Sequence, residues 1–244
     1  MFITRRIFPL LIPAMIAADA ESQDSYSARR VAMVDTIAVL ARETGRETGR
    51  ERLNERVMAA MAKVPRHRFV PADQDAYAYD NRPLPIGNGQ TISQPFIVAL
   101  MTDLLDLKPG HKVLEVGTGC GYQAAVLGEL AREVYTIEIV EPLAKDAAAR
   151  LAALSYRNVT VKSGDGYAGW REHAPFDAII VTAAAPDVPP ALIEQLKPGG
   201  RLIIPVGPQW SGQNLLVIEK DADGRTRSRT VLGVRFVPLT RDKQ

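Results

Sequence analysis

Between residues 113 and 206 the chain alternates short apolar runs with stretches of helical spacing, and this alternation restricts it to a small set of folds. Val113–Val116, Val134–Glu138, Val159–Val161, Phe176–Val181 and Arg201–Val206 read as strands. Tyr122–Ala131, Pro142–Leu154 and Pro189–Leu196 read as helices between them, with Pro142 in a favourable first-turn position. Strands that alternate with helices predict an α/β, doubly wound, mostly parallel sheet with helices on both faces. Leu215–Glu219 and Thr230–Val237 flank Asp221-Ala222-Asp223-Gly224, which predicts an antiparallel C-terminal edge hairpin.

The segments that follow the strands carry the chemistry. Glu115-Val116-Gly117-Thr118-Gly119-Cys120-Gly121-Tyr122 joins the first strand to the first helix. In open α/β sheets ligands lie at the carboxyl ends of the strands, where glycines let the backbone approach them. The spacing here is GxGxG, not the GxGxxG of a dinucleotide fingerprint, and Glu115 precedes it. A pyrophosphate wants bare amides and a positive helix end, whereas an acidic residue suits a cationic ligand. Glu138 ends the second strand, where a carboxylate can accept from both ribose hydroxyls; alone it also reads as a surface carboxylate near a helix start. Gly164-Asp165-Gly166 follows the third strand, and Asp165 either accepts from an adenine amino group or makes a plain turn. Together these features describe S-adenosylmethionine: a sulfonium cation, a ribose and an adenine, without phosphate. The candidate cofactor residues are Glu115, Gly117, Thr118, Gly119, Gly121, Glu138, Asp165 and Gly166.

The N-terminal third is different in kind. Val31, Val34, Ile37, Ala38 and Ala41, then Leu53, Val57, Met58 and Met61, give helical apolar stripes within residues 27–62. Between them RETGRETGRE, residues 42–51, reads as a solvated connection grown by duplication, its arginines balanced by Glu43, Glu47 and Glu51. DNRPLPIGNGQTISQP, residues 80–95, reads as a long irregular loop of the kind that often carries function. Helical spacing resumes over Phe96–Leu107 and stops at Pro109-Gly110. At the start, Arg5-Arg6, an apolar run from Ile7 to Ala18 and Ala18-Asp19-Ala20 have the form of an export signal. That run is too short to span a bilayer, so stable membrane insertion is not expected.

A length of 244 residues suits one large domain with an N-terminal attachment. The expected division is an extension at residues 1–27, a helical and substrate-loop region at 28–107, and a cofactor-binding domain at 108–244. A net charge of +2 gives no ground for nucleic-acid binding. The single cysteine, Cys120, excludes an intramolecular disulfide and a cysteine-cluster metal site. His67, His111 and His173 have no metal-ligand spacing, so no metal is expected.

VPRHRFVP, LPIGNGQTISQP, VLEVGTGCGYQAA, GDG, PFDAIIVTAAAP, LKPGGRLIIPVG and VRFVPL occur in that order. Across roughly residues 28–240 the chain resembles the protein-L-isoaspartate O-methyltransferases, of the class I S-adenosylmethionine-dependent methyltransferases. The resemblance implies a Rossmann-like methyltransferase sheet. It implies an activity that esterifies the free α-carboxylate of isoaspartyl residues in damaged proteins, after which the ester closes to a succinimide and reopens partly to aspartate. It also places Ser93, within the substrate loop Ile92-Ser93-Gln94, in the active site. On its own Ser93 also reads as a helix cap before Pro95. Val234–Leu239 either flanks the same cleft or forms a core strand. The resemblance implies a monomer that works in the cytoplasm, with periplasmic export through residues 1–20 as the alternative. A methyltransferase for RNA or a small molecule on the same scaffold, and a noncatalytic nucleotide-binding or chaperone-like module, are the competing readings; the near-neutral charge counts against RNA, and the noncatalytic module would keep the glycine loop without needing Ser93 or the loop before it.

Overall fold

The computed structural model describes residues 12–208 and 212–241, with side chains from residue 25 onward. The signal-like pattern therefore lies outside the described residues up to residue 11. Helix α1, Ile12–Glu43, begins inside the apolar run, well before residue 27.

A seven-stranded sheet has the order β5-β4-β3-β6-β7-β8-β9. Its strands are β3 Lys112–Val116, β4 Glu133–Glu138, β5 Val159–Ser163, β6 Phe176–Val181, β7 Leu196–Val206, β8 Gln213–Lys220 and β9 Thr226–Val234. The strands from β5 to β7 pair in parallel, and β8 and β9 add antiparallel. The edge hairpin is thus where the DG turn predicted it. The chain winds outward from β3 to β5 in one direction and from β6 to β9 in the other. The crevice between the carboxyl ends of β3 and β6 is the switch point of the sheet.

Residues of each strand alternate between two apolar cores. Val113, Ala178, Ile180 and Ile203 enter the core shared with the N-terminal helices, and Leu114, Val116, Ile179, Val181 and Ile204 enter the opposite one. Burial on both faces is why these strands read as continuous apolar runs. Helices α3 Glu55–Lys63, α4 Pro95–Leu104, α5 Tyr122–Gly128 and α6 Glu141–Ala153 contribute to the first core, and α7 Pro190–Gln195 contributes Leu192 to the second.

Several elements depart from the sequence reading. The loop at residues 80–95 contains a hairpin, β1 Leu84–Gly87 with β2 Gln90–Ile92. Its turn is Asn88-Gly89, both left-handed (φ 52° and 70°), the backbone that favours Asn-Gly in a two-residue hairpin loop. Helix α4 stops at Leu104, short of Leu107, because Asp106 turns left-handed (φ 50°). Helix α5 stops at Gly128 rather than Ala131. Strand β9 ends at Val234 rather than Val237, because buried Gln213 captures the next backbone: its Oε1 accepts Phe236 N–H at 2.6 Å and its Nε2 donates to Phe236 O at 3.2 Å. The RETG repeat is not wholly solvated. Gly45–Thr48 forms a helical turn, α2, with Gly45 and Thr48 buried, and a side chain at Gly45 would collide with Glu51.

Candidate active site

The turn after β3 is fixed by its neighbours. Gly117 N–H and Thr118 N–H both donate to Ile137 O, at 2.8 and 3.2 Å. From the end of β6, Thr182 N–H donates to Val116 O at 2.9 Å, and Thr182 Oγ1 donates to Gly117 O at 2.6 Å. Arg150 of α6 donates to Cys120 O at 2.8 Å. Gly117, Gly119 and Gly121 take φ of 98°, 54° and 90°, which L side chains rarely adopt. A side chain at Gly117 would also strike Thr182 Oγ1, and one at Gly119 would press on Ile86 of the hairpin at 3.3 Å. The turn therefore needs glycine both for its backbone path and for the approach of the β1–β2 hairpin.

Glu138, at the end of β4, is 6% exposed. Its Oε2 accepts Gly119 N–H at 2.8 Å and its Oε1 accepts Val140 N–H at 3.0 Å. A carboxylate has about four acceptor positions, so each oxygen keeps a lone pair for a ligand. The cleft beside it is partly open, with about 740 Å³ of space that includes solvent at its mouth. The glycine turn, Ile137–Ile139 and Gly166 bound one side, Gln90–Ser93 another, and Val237–Thr240 a third. The last segment is held in place: Ala184 N–H donates to Val237 O and Leu239 N–H to Ala184 O, both at 2.8 Å, and Tyr167 Oη donates to Leu239 O at 3.2 Å.

Ser93 stands where this cleft opens into a second, more apolar groove. Thr91, Ser93, Thr182 and Val237 line both spaces. Leu40, Pro83, Phe96, Ile97, Leu232 and Phe236 supply apolar walls of the groove. The cap reading of Ser93 is not realised. Gln94 is the N-cap of α4 without a side-chain bond, and Asn81 Oδ1 accepts Phe96 N–H at 3.0 Å in its place.

No lysine, arginine or histidine lines the cleft among the described residues. Glu138, Cys120 and Tyr122 are its titratable groups. Burial pushes the Cys120 thiol up, and burial pushes the Tyr122 phenol up to about 12, so neither ionises at neutral pH. One carboxylate in a cleft without cations fits a cationic ligand and opposes a phosphate. Among the described residues no group of His, Cys, Asp and Glu could hold a metal ion.

Of the residues singled out in sequence, Ile92, Ser93, Gly117, Thr118, Gly119, Glu138 and Gly166 line the cleft. Gln94 lines the groove instead. Gly121 starts α5, Asp165 caps the short turn Gly166–Ala168 by accepting Tyr167 N–H at 2.8 Å, and neither lines the cleft. Glu115 is fully buried and does not line the cleft. Strand alternation places it on the face of Val113, opposite Thr136 of β4. Sequence reasoning missed Thr91, Thr182 and Gln90. Thr182 had a signal, since it follows β6 at the switch point of the sheet.

Neither oxygen of Glu115 has a hydrogen-bond partner, and Thr136 Oγ1 is engaged with Thr118 Oγ1 at 2.6 Å. Burial pushes its carboxyl up to about 8, the Thr136 hydroxyl pulls it down, and the Glu138 charge adds a smaller upward push. The folded chain thus keeps a proton that the unfolded chain releases above its ordinary value of 4.5. Stability at this residue is highest below 4.5 and falls as pH rises toward 8. Relative to the wild type, Glu115→Gln should therefore gain melting temperature steadily between about pH 5 and pH 8 in cofactor-free protein. A difference that stays constant over that range would mean that Glu115 is not held neutral.

The comparisons agree with this geometry. The family model for protein-L-isoaspartate(D-aspartate) O-methyltransferase matches residues 44–244. Protein-L-isoaspartate O-methyltransferase 2 of Polaromonas sp. is 64% identical over 208 residues, 85% of this chain and 99% of the relative. Its namesake in Syntrophobacter fumaroxidans is 59% identical over 233 residues, 95% of this chain and 94% of the relative. A solved protein-L-isoaspartate O-methyltransferase superposes with a TM-score of 0.73 at 27% identity, over 84% of this chain and 65% of that one. Another, from Plasmodium falciparum in complex with S-adenosyl-L-homocysteine, gives 0.69 at 26% identity, over 78% of this chain and 92% of that one. A β3 turn tied to Glu138, a cleft without cations and a family model covering that whole site lead to one conclusion: this chain belongs to the protein-L-isoaspartate O-methyltransferase family, on the Rossmann-like fold of the S-adenosylmethionine-dependent methyltransferases.

Proposed function

We propose that this chain carries out its family's reaction, methyl esterification of isoaspartyl carboxylates as the first step of protein repair, by alignment rather than by proton transfer. The observation that carries this is the composition of the cleft. Its one carboxylate, Glu138, is tied to two backbone amides, and its thiol and phenol are kept protonated by burial. The acceptor must then arrive already ionised. A free α-carboxylate, with a pKa near ~3.5, meets that demand at neutral pH.

Bound S-adenosylmethionine supplies a methyl group on a sulfonium cation. In this assignment Glu138 accepts from the ribose hydroxyls, and Gly117, Thr118 and Gly119 offer a backbone surface close to the cofactor. Gly166 leaves the floor at β5 open; a side chain there would strike Val116. Ser93 Oγ donates to the acceptor carboxylate at the junction of cleft and groove. Ile92 is 3% exposed and excludes water beside it. Gln94, with the apolar groove, meets the extended peptide. The Val237–Thr240 segment closes the cleft from the far side. By fixing the acceptor carboxylate at this junction, Ser93 and its loop would remove much of the entropic barrier to transfer.

In this reading residues 28–107, joined by Leu232 and Phe236 in the groove wall, serve the substrate side, and the rest of residues 108–244 the cofactor side. A monomer suffices, because both sides come from one chain. We place the reaction in the cytoplasm, where the cofactor is made, with the periplasm as the alternative that residues 1–20 suggest. Among the described residues no helix is long and apolar enough to cross a membrane.

Methyl transfer to an isoaspartyl peptide and to its aspartyl twin tests the substrate assignment. Transfer to the isoaspartyl form alone is expected, and Ser93→Ala should slow it by about tenfold or more while cofactor affinity changes little. Equal transfer to both peptides would remove the isoaspartyl reading. A parallel loss of cofactor affinity would make Ser93 structural. For the cofactor, Glu138→Ala deletes charged acceptors worth on the order of 1.5–3 kcal/mol, so calorimetry should show binding weakened by about tenfold or more. Unchanged affinity would discard Glu138 as the ribose ligand.

A further inference from the structure

Arg66 lies outside the cleft and has no part in the mechanism above, yet it is the most deeply buried cation described. It is 0% exposed and, among the described residues, makes no ion pair with a carboxylate. Burying a charge without a counter-charge is costly unless hydrogen bonds replace its water. Two carbonyls do so. Nε donates to Ala78 O at 2.8 Å, and Nη2 donates to Ser93 O at 2.7 Å. The guanidinium carbon lies 4.7 Å from the centroid of the Tyr122 ring, at the start of α5. Nη1 is buried without a partner.

Ala78 and Ser93 are the two ends of one excursion of the chain. Between them lie Asn81, whose side chain takes the first free amide of α4, and the β1–β2 hairpin that presses on Gly119. One planar fork therefore closes the base of the substrate loop and anchors it against the first helix of the cofactor side. The bond at the Ser93 end is made to that residue's own carbonyl, so the guanidinium fixes the backbone from which Ser93 Oγ projects.

We propose that Arg66 is a positioning residue for the methyl acceptor: by stapling Ala78 O to Ser93 O it sets where the Ser93 hydroxyl and the Gln90–Ile92 edge meet the substrate carboxylate. The proposal rests on the reading of Ser93 given above. It explains why a cation is buried here at all, since a hydrophobic side chain of similar volume would fill the space without joining the two carbonyls. Lysine is not equivalent, because its single ammonium lacks the fork that serves two diverging acceptors.

The test uses the full chain with an isoaspartyl peptide. Arg66→Lys should lower kcat/KM for the peptide by about tenfold to a hundredfold, as expected for a displaced reacting group, with the cofactor Kd by calorimetry within about twofold of wild type. Arg66→Ala should behave likewise, and millimolar guanidinium chloride should restore part of its turnover, while sodium chloride at equal ionic strength should not. An Arg66→Lys protein that folds and keeps wild-type kcat/KM overturns the proposal. So does a loss of cofactor affinity in step with turnover, which is what a merely structural role predicts. If Arg66→Ala does not fold, Arg66→Lys decides alone. Ser93→Ala separates the two readings. Where Arg66 acts through Ser93, adding Arg66→Lys to Ser93→Ala costs less than the product of the two single losses. Full multiplicativity overturns the route through Ser93. If Ser93→Ala is itself inert while Arg66→Lys still loses turnover, the Ser93 assignment falls, and the staple acts through the Gln90–Ile92 edge.

Discussion

The Glu138 carboxylate accepts Gly119 N–H at 2.8 Å and Val140 N–H at 3.0 Å, and so fixes the glycine turn after β3 to the end of β4. Hydrogen bonds to a charged acceptor are worth about 1.5–3 kcal/mol, more than neutral pairs. The turn must hold three left-handed glycines in register, and Ile137 O and Thr182 secure its other side. With the turn in place, the β1–β2 hairpin can rest Ile86 on Gly119. The cleft exists because these two segments meet. The same carboxylate that shapes the turn also presents its spare lone pairs to the cleft, and in the proposed assignment this joins the architecture to cofactor recognition.

Two of the four described residues with unpartnered buried polar atoms, Glu115 and Arg66, belong to this part of the molecule; Arg30 and His111 lie elsewhere. Glu115, within β3, has both oxygens unsatisfied, and Arg66 leaves Nη1 unsatisfied beside the substrate loop. Native cores rarely contain such groups, and those that persist mark places where function competes with stability. The site accordingly has two supports of different chemistry. In the proposed assignment a carboxylate organises the cofactor side by collecting amides, and a guanidinium organises the substrate side by collecting carbonyls.

The sheet was legible because burial on both faces leaves continuous apolar strands such as Phe176–Val181, and the carboxyl ends of β3, β4 and β5 carry a glycine or an acid. Gly117, Gly119 and Glu138 could be placed from spacing alone. The hairpin at residues 84–92 was hidden because its strands are only four and three residues long, and Pro85 blurs their alternation. Asn88-Gly89 was the available signal. The depth of Glu115 was not legible, since nothing in Leu114-Glu115-Val116 says which face of β3 lacks water. Nor were Arg66 and Gln213, whose roles depend on backbone carbonyls and amides distant in sequence. Side chains that serve remote backbone leave no periodicity to read.

The central claim is that the protein aligns an ionised carboxylate and moves no proton. His67 and His111 are both pushed below their ordinary value by burial, and among the described residues no histidine lines the cleft. The most direct test is kcat at saturating isoaspartyl peptide and cofactor, measured between about pH 5.5 and 7.5, where a histidine base would titrate. The account predicts a level profile, because an α-carboxylate near ~3.5 is ionised throughout that range. A rise of tenfold or so through an apparent pKa near ~6.5, lost in a glutamine variant of one histidine, would contradict it.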